Sequence, residues 1–217
     1  MPRLISQAVF AAILLLVGQT KSQADEIALF DYHGDAVEFE QVVGLLAERL
    51  ANLQPEIFQD VKSMPPDAGR LSAFKVTRRG LDTLANTDEA LQWINNQGDV
   101  LGVLQGTILS GTGAPLVFSR FTLPDAIPAF GSRVITIKTE INGDEFANNR
   151  DGHTLMMLYC LLQDARRNNL DRAYINALAS AAHNTIINLS RRWKGHLPSD
   201  IRAIQRDVES SLTGARR

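Results

Sequence analysis

The hydrophobic pattern of this chain changes period once, near Gly152. Before that point, short apolar runs and alternating runs are interleaved with amphipathic stretches. After it, apolar residues recur at steps of three and four almost to the end. A step of two lines one face of a strand, and steps of three and four line one face of a helix. The chain is therefore expected to mix strands and helices first and to end in helices alone.

The individual elements follow from the same periods. Residues 26–32 (EIALFDY) and 71–77 (LSAFKVT) read as short strands. Between them, Phe39, Val43, Leu46, Leu50, Leu53, Ile57 and Val61 trace a helical face that Pro55 interrupts. Residues 87–96 read as a short helix, with Thr87 as its cap and Asp88 and Glu89 at its positive end. Residues 100–109 and 116–123 form an expected hairpin across Ser110-Gly111-Thr112-Gly113-Ala114. Residues 133–141 alternate like a half-buried strand. Three helices are then expected: 154–167, 171–192, and one opened by Pro198-Ser199 with Ile201, Ile204, Val208 and Leu212 on its face. This order predicts an α/β or α+β fold, with a mixed sheet of about five strands, packed helices and a C-terminal helical part.

The first 24 residues carry Arg3, an apolar run from Ala8 to Val17, and small residues at Ser22 and Ala24. That is the layout of a secretory signal peptide cut near Ala24. The expected organisation is a signal peptide at 1–24, an α/β domain at 25–150 and a helical region at 151–217 packed on it. The expected location is periplasmic or secreted, with no membrane span once the signal is removed. Cys160 is the sole cysteine, so no intramolecular disulfide can form. Its apolar neighbours, Leu155 to Leu162, predict a buried structural thiol.

Charge is uneven along the chain. Residues 25–163 hold 19 acidic and 10 basic residues, and residues 164–217 hold 5 acidic and 10 basic. The basic tail is expected to meet something acidic, either an outside partner or the acidic half of its own chain. Arg166, Arg167, Arg191, Arg192, Lys194 and Arg202 are the candidate partner-binding residues. An envelope protein or an anionic surface would suit them. Nucleic acid is disfavoured by the export signal and the net negative charge.

One polar stretch invites a catalytic reading. Phe30-Asp31-Tyr32-His33-Gly34-Asp35 follows the first strand. Asp31 and His33 in that setting resemble the first metal-binding loop of the calcineurin-like phosphoesterases. That resemblance implies two divalent ions that share carboxylate and imidazole ligands. His153, beside Asp151, would be a third acid–base candidate. The later motifs of that family, Gly-Asn-His and His-x-His, are absent from this sequence. The other reading of the stretch is a strand end followed by a capping box, Asp35-Ala36-Val37-Glu38. The cluster from Asn148 to His153 likewise reads as a turn ahead of the next helix. The Ser110–Ala114 stretch lacks the Lys of a phosphate loop, and no Gly-x-Ser-x-Gly elbow occurs. No cofactor is expected.

A second resemblance covers more of the chain. The strand Ile27-Ala28-Leu29-Phe30-Asp31, the helix from Ala36, the helix over 89–96 and the stretch from Asp99-Val100-Leu101 through Gly106-Thr107-Ile108 come in that order. Leu116-Val117-Phe118-Ser119-Arg120 follows as a partner strand. This order resembles the α/β domain at the amino terminus of TolB and in related envelope proteins such as CsgG. The resemblance implies a non-catalytic envelope domain that works through protein contacts. It transfers no catalytic residue.

Overall fold

The computed structural model describes residues 26–30, 32–33, 57–58, 63–79, 84, 86–97, 100–109, 116–128, 130–140 and 145–214. The signal-peptide segment, the helix expected from Asp35, the Pro55 break and the Ser110–Ala114 turn lie outside them.

Five strands form one mixed sheet: β1 (Glu26–Leu29), β2 (Lys75–Arg78), β3 (Gly102–Leu109), β4 (Leu116–Thr122) and β5 (Val134–Glu140). Their spatial order is β2-β1-β3-β4-β5. β1 runs parallel to both β2 and β3, and β3, β4 and β5 pair antiparallel. The expected hairpin is thus present. The interior strand β1 is apolar on both faces, with Ile27 and Leu29 in the main core and Ala28 in a smaller one. The edge strand β5 alternates, burying Ile135 and Ile137 and exposing Thr136 and Lys138. Burial on two faces and on one face account for the two patterns.

The described helices are α1 (Gly69–Ala73), α2 (Thr87–Gln97), α3 (Glu145–Arg167), α4 (Arg172–Arg192) and α5 (Ser199–Gly214). α2 covers one face of the sheet. Its Ala90 and Ile94 pack with Ala28, Phe30 and Val103, and Trp93 meets Phe30 edge-on at 5.1 Å. The C-terminal helices lie on the other face and share one core with the sheet. α3 is the middle layer: every residue from Leu155 to Leu162 is buried. A helix that is apolar all round needs neighbours on every side, and α3 has β5 on one flank and α4 on another.

Polar groups pin these layers together. Tyr159 donates to Asp207 on α5 at 2.8 Å, and Arg166 reaches the same carboxylate at 2.6 Å. Arg70 on α1 bonds Asp164 on α3 at 2.8 Å, and Asn168 donates to the other oxygen of Asp164. α3 stops at Asn169, whose φ of 50° is the left-handed turn that asparagine tolerates. Asp171 then caps α4 by accepting from the backbone of Ala173 and Tyr174.

The structure corrects four local expectations. The segment 71–77 is not one strand: α1 ends at Ala73, and only 75–78 pairs with β1. Asn86, not Thr87, caps α2. It accepts from the Glu89 amide at 3.0 Å and donates to the Glu89 carboxylate at 3.2 Å, a reciprocal box. The cluster from Asn148 to His153 is helical, because α3 starts at Glu145. Gly152 sits inside this helix because a Cβ there would meet Ile137 of β5 at 3.3 Å. The boundary expected at residue 150 therefore falls within α3.

Cys160 is buried as expected. Burial pushes its thiol up from 9.0 to about 12. Tyr159 is also raised, by burial first and then by Asp207. Both groups stay neutral in the folded protein and ionise more readily in the unfolded chain. The stability they allow is complete below about pH 9 and declines as pH rises toward 12. C160A should flatten that alkaline decline in urea unfolding curves, and the native thiol should react with a thiol reagent only as the protein unfolds. An equally steep decline in C160A would assign the whole effect to Tyr159 and other groups.

Candidate functional site

The chain continues beyond β1 in extended form. The amide of His33 donates to the Gly106 carbonyl at 3.0 Å, and the amide of Ile108 donates to the His33 carbonyl at 2.8 Å. Successive side chains on such a segment point to opposite faces. Tyr32 enters the layer of α3, where it is 4% exposed. His33 falls on the opposite face and is exposed. Asp31 and Asp35 lie outside the described residues.

Tyr32 can enter because Gly106 has no side chain. A Cβ at Gly106 would overlap the Tyr32 ring. The ring passes over Gly106 to reach the residue paired with it on β4, Ser119. The Tyr32 hydroxyl donates to Ser119 Oγ at 2.9 Å. From the other side, His153 Nε2 on α3 lies 2.8 Å from the same oxygen. The imidazole also meets the Phe121 ring at 5.5 Å. With its proton on Nδ1, His153 would accept the Ser119 hydroxyl proton, completing a Tyr32–Ser119–His153 chain.

Serine and histidine at this distance have the spacing of a nucleophile and its base. Ser119 and His153 are each 0% exposed, however, so neither touches solvent. The chain links the sheet to α3 inside an apolar layer, where fully paired polar groups fix a register. Sequence reasoning found His153 but missed Tyr32 and Ser119. The available signal was a serine at an inward position of the apolar run LVFSRFTL, opposite a glycine.

The other candidates do not converge. His33 and His153 lie on opposite faces of the sheet. Asp151 is ion-paired with Arg192 at 2.6 Å, whereas His153 faces the core. Among the described residues, no three of His, Cys, Asp and Glu gather as a metal site.

The candidate cations divide into two sets. Arg166 pairs with Asp207, Arg167 with Asp125 and Arg192 with Asp151. Arg191, Lys194 and Arg202 are exposed and have no ion pair among the described residues, and Arg206 is like them. All four fall on the last turn of α4, the corner after it and the first half of α5. Lys194 and Gly195 turn that corner with φ of 50° and 83°. No family model, curated protein or solved structure matches this chain. Its function must therefore be read from these side chains and from what they leave exposed. A further surface feature is a groove of about 520 Å³ between the 63–66 loop and the start of α4, with Met64, Pro65, Asp171, Asn176 and Ser180 in its wall.

Proposed function

We propose that this chain is an exported, periplasmic accessory module of the cell envelope, acting by contact with an envelope protein or an anionic surface and not by catalysis. The observation that carries the proposal is the contrast between sealed chemistry and open charge. The serine and histidine that meet are buried and bonded to each other, while Arg191, Lys194 and Arg202 stand exposed without ion pairs among the described residues. The leader-like layout of residues 1–24 supports export. Of the segments that resemble the TolB amino-terminal and CsgG-like domains, the described ones fall in or beside β1, α2, β3 and β4, and the helix from Ala36 lies outside the described residues. No described helix is long and apolar enough to cross a membrane.

The test is photo-crosslinking in cells, with a photoreactive residue placed at Met64, which is 60% exposed, or at Lys194. The expected result is a discrete adduct with a protein or a lipid of the envelope, lost when residues 1–24 are deleted. A chain that stays in the cytoplasm, or that gives no adduct from either position, would refute the proposal.

A further inference from the structure

We infer that the corner between α4 and α5 is a docking surface for an anionic lipid bilayer, with Arg191, Lys194, Arg202 and Arg206 contacting phosphate headgroups. The inference rests on the contact reading above and names one partner class for this part of the surface.

The structure selects these four from the basic tail. Intramolecular acids neutralise Arg166, Arg167 and Arg192. Arg191, Lys194, Arg202 and Arg206 lie within sixteen residues of sequence and are all exposed. Arg202 and Arg206 are one turn apart on α5, so they share a side of that helix. The opposite side buries Ile201, Ile204 and Val208. The only acidic residue between Arg191 and Arg206 is Asp200, and its side chain accepts from the Ile201 amide at the start of α5.

A lipid surface fits this corner better than an acidic protein does. Protein interfaces draw most of their energy from a few buried aromatic or aliphatic anchors. The described large apolar side chains that stand exposed are Met64, Leu109 and Phe130, and none belongs to the corner. Trp193, between Arg192 and Lys194, packs partly into the core. What the corner offers is several exposed cations without an apolar plug. Laterally mobile anionic headgroups can gather around such cations, each contributing separately.

The charge of the rest of the chain fixes the orientation. Residues 25–163 are strongly acidic and would be repelled by an anionic bilayer. At physiological salt the field of the bilayer decays over about 8 Å. Only a corner-first approach places the four cations within that layer and leaves most of the acidic body outside it.

The test is co-sedimentation of the purified chain with vesicles of phosphatidylcholine alone or mixed with phosphatidylglycerol. Binding is expected only to the mixed vesicles and should weaken as salt rises. R191Q/K194Q should weaken it about 25-fold, at about fivefold for each charge near the surface. R133Q, which removes one cation from the loop before β5, should leave it unchanged. Thermal melts of both variants should match the parent, which separates lost docking from lost folding. Absence of binding to mixed vesicles, equal binding to neutral ones, or an equal loss in R133Q would overturn the inference. A protein adduct from position 194 without vesicle binding would give the corner to a protein. That outcome would leave the contact reading standing and remove the lipid one.

Discussion

Gly106→Ala should cost about 3 kcal/mol of folding stability and lower the melting temperature by roughly 6–12 °C. The added methyl would occupy the space of the Tyr32 ring and come within 2.5 Å of the Phe118 carbonyl. Neither neighbour can give way cheaply. The Gly106 carbonyl accepts from the His33 amide, and Gly106 is in register with Ser119. If Tyr32 is displaced instead, Ser119 loses a bond inside the core and the phenol must find another partner. Gly69→Ala is the control. Gly69 has an ordinary right-handed helical conformation, and a methyl group there would meet no atom within 4 Å. Alanine at that position should be neutral or slightly stabilising. Thermal melts of the two variants decide the matter. A Gly106→Ala protein that melts with the parent would mean that Tyr32 does not occupy this slot.

Arg70→Met should cost about 3–5 kcal/mol, because it leaves the Asp164 carboxylate inside the protein without its cation. The side chains of Arg70 and Asp164 are 10% and 6% exposed, so water cannot replace the lost guanidinium. Asn168 would still donate to Asp164, but a neutral amide does not balance a buried charge. R70M/D164L should recover most of the loss, since removing both charges also removes their desolvation cost. The pair joins α1 to α3, so R70M should also speed protease cutting near Met64–Gly69. Urea unfolding of the two single variants and the double variant checks this. Strictly additive losses would show that the two side chains do not act as a pair.

The two variants probe contacts of different legibility. Leu71 and Phe74 are both buried, and their three-residue spacing belongs to a helical turn, but seven residues are too few to separate that turn from a strand. The start of α3 was hidden for another reason. Asn148 to Gly152 carries every mark of a turn, and the helix persists through it because Gly152 meets β5. Asn86 outcompeted Thr87 as a cap because the side chain of Glu89 could bond back to it. Long periodic segments were readable: the faces of α4 and α5, the alternation of β5 and the hairpin of β3 and β4 all stand close to where the pattern put them.

Within its own residues the sequence determined the class of the fold, the strand-then-helix order, the buried thiol, the helix stop at Asn168-Asn169 and the helix start at Pro198-Ser199. These depend on periodicity and backbone preference, which act over a few residues. Only the tertiary structure decided that Tyr32, Ser119 and His153 meet, and which arginines are neutralised. Ser119 is 87 residues from Tyr32 and 34 from His153, and Arg166 is 41 residues from Asp207. No local pattern encodes such pairings. They arise when the sheet and α3 close on each other and bring side chains distant in sequence within bonding reach.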